Sequence, residues 1–143
     1  MRIALASDHA GFALKAILIE TLKQAGHEPV DLGPDTADSV DYPDYGKKLA
    51  DHIAAGESPF GIAICGSGLG ISMAVNRNPA CRCARVSEPL SAALARQHND
   101  ANVVAMGERL VGVDMAKAIV DAFLTTEFEG GRHQRRVDKL TNC

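Results

Sequence analysis

The chain has 143 residues, of which 46% are hydrophobic and 23% charged, and its formal net charge is −3. This length suits one domain with one core, so we expect a single unit over residues 1–143. The balanced charge, the absence of tryptophan and an aromatic content of only 4% argue against a nucleic-acid-binding surface.

Short apolar runs alternate with segments of helical periodicity along the whole chain. In chain order we predict a strand over 2–6, a helix over 11–25, a strand over 27–32, a polar loop over 33–42, a helix over 43–55, a strand over 60–65, a short helix ending near 75, a strand over 81–86, a helix over 88–97, a strand over 102–106, and helices over 112–124 and 132–140. Strands that alternate with helices predict an α/β fold, in which a parallel five-stranded sheet is covered on both faces.

Neither the apolar runs nor the cysteines indicate a membrane or secreted protein. No run approaches the roughly 20 apolar residues of a membrane span, and Asp8 and His9 interrupt the first run before it reaches the length of a signal sequence. The four cysteines lack the spacing of a disulfide framework. We therefore expect no membrane partner, reduced thiols and a cytoplasmic location.

Reactive side chains follow several of the predicted strands. In open parallel sheets, ligands bind at the carboxyl ends of the strands. The residues at those ends are Ser7-Asp8-His9, Cys65-Gly66-Ser67-Gly68, Ser87-Glu88-Pro89 and Gly107-Glu108-Arg109. The sequence therefore predicts a site at this edge of the sheet.

The most informative of these ends is Cys65-Gly66-Ser67-Gly68-Leu69-Gly70. Alternating glycines between a strand and a helix let backbone N–H groups converge on a small anion, although they also permit a tight bend. The glycine spacing is not that of a dinucleotide-binding turn, and no Gly-Lys-Ser/Thr of a nucleotide-binding P-loop follows. An anion hole for a small ligand is the interpretation that we prefer.

Cys65, at the end of the strand, is either a small buried hydrophobic residue or a reactive thiol. A thiol beside converging N–H groups ionises readily and can act as nucleophile or base. A cysteine phosphatase would need an arginine six positions after the cysteine, but Ile71 occupies that position. The sequence thus disfavours the phosphatase.

Polar groups elsewhere have two interpretations each. Asp8 either caps the helix that follows or serves the site. His98, in the run Arg96-Gln97-His98-Asn99-Asp100, precedes a strand and so lies at the opposite, amino edge of the sheet. If both Cys65 and His98 are catalytic, they must meet across a subunit interface.

Arg132 and Arg136 are four residues apart and share a helical face, which suits a phosphate group but is equally typical of a solvated basic helix. Arg109 could join them. Cys81 and Cys83 have no further ligands nearby in sequence, and the histidines show no metal spacing. We therefore expect core packing for these two cysteines and no metal site.

Six segments together resemble one family over essentially the whole chain, the ribose-5-phosphate isomerase B family, which also includes galactose-6-phosphate and allose-6-phosphate isomerases. Each segment alone is a weak indication, but six in the same order are highly specific. They are Asp8-His9-Ala10-Gly11, Asp41-Tyr42-Pro43, Cys65-Gly66-Ser67-Gly68-Leu69-Gly70-Ile71-Ser72, Ser87-Glu88-Pro89, Arg96-Gln97-His98-Asn99-Asp100 and Glu129-Gly130-Gly131-Arg132-His133.

The resemblance implies a three-layer, Rossmann-like α/β/α domain that forms a homodimer or a dimer of dimers. It implies active sites shared between two chains, with the helix near 131–141 packing on the partner subunit. It also implies a sugar-phosphate substrate, an aldose–ketose isomerisation through an enediolate, and no cofactor or metal.

By the same resemblance, Cys65 matches the base that moves the proton, and His98 matches the residue that opens the furanose ring. The anion hole for the enediolate matches Gly66, Ser67, Gly68 and Gly70. Asp8 and Tyr42 match residues that assist the ring opening around the sugar hydroxyls, so Asp8 is counted with Cys65, His98 and Ser67 among the catalytic residues. Asn99 matches a sugar contact at the same site. The phosphate-binding residues match His9, Arg109, Arg132 and Arg136.

The chain departs mildly from the family pattern. Ser67 stands where threonine is common, and Leu90 stands where an aromatic residue is common. Some members use a glutamate elsewhere as the base, so Cys65 places this chain in the cysteine branch. An isomerase for another sugar phosphate, or a non-catalytic sugar-phosphate-binding subunit, stays open at this point.

Overall fold

Five strands and six α-helices alternate along the chain in the computed structural model, which describes residues 1–143. The strands are β1 (Arg2–Ser7), β2 (Glu28–Asp31), β3 (Phe60–Cys65), β4 (Cys83–Arg85) and β5 (Val103–Gly107). The helices are α1 (Phe12–Gln24), α2 (Tyr42–Ala54), α3 (Leu69–Val75), α4 (Pro89–Asn99), α5 (Val113–Thr125) and α6 (Arg132–Thr141). A short 3-10 helix, His9–Gly11, precedes α1.

All strands pair in parallel, in the order β2-β1-β3-β5-β4. The chain runs from β1 outward to β2 and then returns to β3 on the other side of β1. This reversal opens a crevice between the carboxyl ends of β1 and β3, which is where such sheets bind ligands. Asp8 follows β1 and Cys65 ends β3, so both lie at the crevice.

The two faces of the sheet differ in side-chain size. Large residues of the central strands, such as Ile3, Ile62 and Met106, face a core shared with α1, α4 and α5. Small residues, such as Ala4 and Ala63, face α2 and α3. This difference is possible because side chains alternate between the two faces of a strand. The small residues let α2 and α3 lie close to the sheet. The predicted α/β fold is therefore confirmed.

Several element boundaries differ from the prediction. β4 covers Cys83–Arg85 rather than 81–86, because Cys81 and Val86 lie outside the pairing with β5. α4 continues through Asn99 instead of ending at 97. His98 therefore lies in the last turn of a helix and not in a loop, although it stays at the amino edge of the sheet.

The last helix, α6, packs on α4 of its own chain. Its buried residues, His133 and Val137, are four positions apart and so share one face, whereas Arg132 and Arg136 are exposed. Packing of this helix on a partner subunit stays a prediction. None of the helices combines the length and the apolar character that crossing a membrane requires.

Candidate active site

A cavity of about 440 Å³ lies at the crevice between β1 and β3. Its size is typical of small-molecule sites. Six of its lining residues were predicted as site residues on sequence grounds, and a seventh, Arg109, was predicted as a phosphate binder. The full lining is Asp8, Tyr42, Cys65, Gly66, Ser67, Gly70, Arg109 and Leu110.

The glycine turn folds back over the Cys65 thiol. The backbone N–H of Gly68 donates to Cys65 Sγ at 3.2 Å, and Ser67 Oγ accepts from the N–H of Leu69 at 3.2 Å. Gly68 has φ +76°, and a Cβ there would lie 2.7 Å from the carbonyl carbon of Met106. Only glycine fits this conformation and this close approach. The turn thus presents an N–H donor to sulfur, as a thiolate requires.

The ends of β3 and β5 are joined by backbone hydrogen bonds beyond the regular pairing. The N–H of Glu108 donates to the carbonyl of Cys65 at 3.0 Å, and the N–H of Arg109 donates to the carbonyl of Gly66 at 3.1 Å. The Glu108 carboxylate also accepts from the N–H of Leu14 in α1 at 2.6 Å. As a result the Arg109 guanidinium lies directly over Gly66.

Asp8 and Tyr42 also line the cavity. Asp8 Oδ1 accepts from the N–H of Gly11 at 3.1 Å, so it caps the 3-10 helix while it also lines the cavity. The capping interpretation is confirmed, and the role of Asp8 in the site stays a prediction. The Tyr42 ring lies against Gly70, where a Cβ would come within 2.6 Å of the ring. Glu88, which also follows a strand, does not line the cavity. Its carboxylate accepts hydrogen bonds from Ser91 and caps α4, and these hydrogen bonds lower the pKa of its carboxyl group.

Arg85 contacts the glycine turn, although no sequence pattern indicated it. It ends the edge strand β4, and its Nε donates to the carbonyl of Ser67 at 3.0 Å. This contact fixes the peptide between Ser67 and Gly68 and brings a positive charge to the glycine turn. Arg85 belongs to no recognisable motif, and only the sheet order β3-β5-β4 reveals that it lies near the glycine turn.

A second group of side chains lies at the other edge of the sheet. The rings of His98 and His133 stack with their centroids 4.4 Å apart and their planes 14° apart. One Glu129 oxygen lies 3.9 Å from His98 Nε2 and 3.5 Å from His133 Nε2. These three residues could hold a metal ion, since their ligand atoms all lie within 4.8 Å of one another. Sequence spacing could not show the group, because His98 is distant in sequence from the other two.

The single chain does not bring the two groups together. Cys65 pairs with Gly107 at the carboxyl end of β5, whereas His98 precedes Val103 at the amino end. The length of β5 alone separates the two edges by roughly 13 Å. Of the remaining predicted residues, Asn99, Arg132 and Arg136 lie on the His98 side in α4 and α6, and none lines the cavity.

His9 also lies outside the cavity lining; its Nδ1 contacts the backbone of Val40 at 3.2 Å. Cys81 and Cys83 pack beside α2 and α3 as predicted. Burial raises the pKa of Cys81 to about 11 and raises that of Cys83 further, so both thiols stay protonated at neutral pH.

Comparison with known proteins identifies the family. A model of the ribose/galactose isomerase family matches residues 3–140. The chain belongs to this family. It is 48% identical over 140 residues to ribose-5-phosphate isomerase B of Escherichia coli, covering 98% of this chain and 94% of that one.

Solved structures of isomerases agree with this assignment. Clostridium thermocellum ribose-5-phosphate isomerase B superimposes with a TM-score of 0.98 at 48% identity, covering 99% of this chain and 96% of that one. The Mycoplasma genitalium ribose-5-phosphate isomerase B, solved with bound ribulose 5-phosphate, gives a TM-score of 0.93 at 44% identity and covers 99% of this chain and 94% of that one. The family predicted from six segments is confirmed.

The role of Arg85 can be tested by hydrogen exchange. In Arg85→Met the Ser67 carbonyl loses its charged donor, and we expect amides of residues 66–70 to exchange roughly tenfold faster, since such a hydrogen bond contributes about 1.5 kcal/mol. Mass-spectrometric exchange of the peptide containing this turn measures the effect. Arg77→Met, which removes an exposed arginine, is the control; equal protection of the turn in both variants would show that Arg85 does not hold it.

Proposed function

We propose that this chain interconverts ribose 5-phosphate and ribulose 5-phosphate through an enediolate, with Cys65 as the base. The observation that carries the proposal is the Cys65 thiol on the wall of the crevice, with a backbone N–H aimed at its sulfur. The Mycoplasma relative, which holds ribulose 5-phosphate, supports the choice of substrate.

In the proposed reaction, the Cys65 thiolate removes the proton from carbon 2 of the open-chain aldose. The electron pair of the C2–H bond forms the C1–C2 double bond, and O1 becomes the oxyanion of an enediolate. The proton of the O2 hydroxyl passes to O1, so O2 becomes the ketone oxygen and O1 becomes a hydroxyl. The thiol returns a proton to carbon 1, which regenerates the thiolate, and no redox partner is required. Proton transfer of this kind needs a base within reach of the carbon-bound proton, and the Cys65 sulfur lies on the cavity wall with the Gly68 N–H directed at it.

The glycine turn is suited to stabilise the enediolate. The Gly68 N–H points at the Cys65 sulfur, and Ser67 and Gly70 line the same cavity. Each fixed donor to a developing oxyanion can contribute roughly 3 kcal/mol. The Arg85 and Arg109 guanidinium groups add positive charge on two sides of the turn. These donors can stabilise the intermediate without a metal or cofactor, and we propose that none is needed.

We propose that the complete site forms between two chains of a homodimer. His98 would then enter the cavity from the partner subunit and open the furanose ring, with Asn99 beside it. His9, Arg109, Arg132 and Arg136 would bind the phosphate. The strand length that separates Cys65 from His98 in one chain supports this arrangement. The four free cysteines agree with the reducing cytoplasm that we propose as its location.

The role of the thiol is tested by Cys65→Ala. We expect solvent deuterium exchange at carbon 1 of ribulose 5-phosphate to fall by roughly 10²- to 10⁴-fold, as for the loss of a general base. Binding of the sugar phosphate, measured by calorimetry, should persist. NMR in deuterium oxide follows the exchange, and Cys143→Ala, at an exposed thiol, is the control. Normal exchange in Cys65→Ala would exclude the thiol base.

The shared site is tested by mixing inactive subunits. When Cys65→Ala and His98→Asn subunits exchange, a heterodimer contains one site with both wild-type side chains, because a two-fold interface pairs the same surfaces. Random exchange makes half of the dimers heterodimers, so about one quarter of wild-type activity should return.

The control replaces the His98→Asn subunit with a double variant carrying both substitutions, which should restore nothing. Heterodimers that are verified by mass spectrometry and remain inactive would show that each site uses residues of one chain only.

A further inference from the structure

His98 lies in a group of packed side chains, two of which have no role in the reaction proposed above. From it we infer that Glu129 and His133 are positioning residues, which hold the His98 imidazole in the orientation that opens the furanose ring. This inference rests on the role proposed for His98 above. The contacts that carry it all lie within one chain.

His133 provides a fixed platform beneath His98. Its side chain is only 8% exposed, whereas that of His98 is 41% exposed. It lies on the face of α6 that packs against α4, next to the buried Val137. Since the two rings are almost parallel and 4.4 Å apart, His133 limits the tilt of the His98 ring.

Glu129 is fixed relative to His98 through the backbone. Its N–H donates to the carbonyl of Gln97, the residue before His98, at 3.1 Å. Its carboxylate then reaches the Nε2 atoms of both rings, at 3.9 Å for His98 and 3.5 Å for His133. One acidic group therefore faces both imidazoles at ion-pair distance.

Glu129 is the acidic side chain that faces both rings. The other charged side chains near His133 are the cationic Arg132 and Arg136. Without the Glu129 carboxylate, His98 would keep its stacking contact with His133 but lose its acidic neighbour, so the orientation of this more exposed ring would be less restricted.

The helix end that carries His98 is itself rigid. The buried Arg96 guanidinium binds the Asp100 carboxylate at 2.9 Å and the carbonyl of Ala101 at 2.6 Å. Its Nε also donates to the carbonyl of Thr126 at 3.3 Å. The backbone of His98 is thus held from both sides, so the orientation of its ring is set by Glu129 and His133.

Substrate chemistry separates ring opening from isomerisation. Opening ribofuranose 5-phosphate breaks the C1–O4 bond and forms the C1 carbonyl, with a proton leaving the C1 hydroxyl and another reaching O4. Ribulose 5-phosphate is acyclic, because its O5 carries the phosphate and cannot close a five-membered ring. Erythrose 4-phosphate cannot form a furanose either, since its O4 is phosphorylated. A residue that serves only ring opening should therefore affect ribose 5-phosphate alone.

The experiment compares cyclic and acyclic substrates in Glu129→Gln, whose side chain has the same shape and is half exposed. Misplacing a catalytic group costs up to roughly 10²-fold, so we expect kcat/KM for ribose 5-phosphate to fall at least tenfold. Deuterium exchange into ribulose 5-phosphate should stay within twofold of the wild type. Glu127→Gln, an exposed glutamate two residues away, is the matched control.

A second pair of variants separates the ring platform from the carboxylate. His133→Phe keeps an aromatic surface under His98 and should retain more ribose 5-phosphate turnover than His133→Ala, with exchange into ribulose 5-phosphate equal in both. His98→Asn is the benchmark, and it should show the same contrast between substrates with a larger loss.

The outcomes distinguish a failure of the positioning role of Glu129 and His133 from a failure of the ring-opening role of His98. If His98→Asn shows the contrast and Glu129→Gln does not, or if Glu129→Gln lowers both activities equally, the positioning role is refuted. If His98→Asn itself shows no contrast, the proposed ring-opening role of His98 fails, and the inference fails with it. Thermal unfolding of each variant verifies that the fold is intact.

Discussion

The close approach of the glycine turn to the end of β5 is the contact on which the site depends. A Cβ at Gly68 would lie 2.7 Å from the carbonyl carbon of Met106, and a Cβ at Gly107 would lie 2.5 Å from that of Ser67. Two backbones can pass at this distance only where both side chains are absent, and adding even one methyl group to such packing typically costs 1–3 kcal/mol. This contact turns the Gly68 N–H toward the Cys65 sulfur.

The ends of two strands, β3 and β5, and the start of helix α1 are joined around this contact. Glu108 and Arg109 continue from Gly107 and bind the carbonyls of Cys65 and Gly66, and the Glu108 carboxylate extends to α1. The thiol, the guanidinium of Arg109 and the capping carboxylate of Asp8 therefore share one rigid frame. Catalytic groups placed in this way need little reorganisation when the substrate binds, and that is the main source of electrostatic catalysis.

The fold also explains why the predicted residues divide into two groups. Residues that follow parallel strands collect at one edge of the sheet, whereas residues at the ends of helices collect at the other. His98, at the end of α4, belongs to the second edge together with the arginines of α6. A chain of this size cannot bend one edge onto the other, and a second copy of the chain supplies what one copy lacks in the arrangement that we propose.

Much of this could be predicted from the sequence, because it depends on local pattern. The apolar run ending at Cys65, the glycines after it and the polar residues after β1 all belong to contiguous segments. Arg85 and the group of His98, Glu129 and His133 could not be predicted, because each depends on residues that are distant in the chain and that only the sheet order and the packing of α6 on α4 bring together. The error at the end of α4 has a similar cause, since tertiary packing extends a helix beyond its apolar periodicity.

The central claim is that proton transfer by a thiol base isomerises a pentose phosphate. It is tested most directly by converting ribose 5-phosphate in deuterium oxide with excess chelator and locating the label in the product. We predict sustained formation of ribulose 5-phosphate with deuterium at carbon 1, because the base exchanges its proton with solvent. Two results together would contradict the account. Conversion would stop when chelator is added, and without chelator the hydrogen of carbon 2 would move to carbon 1 with no solvent label.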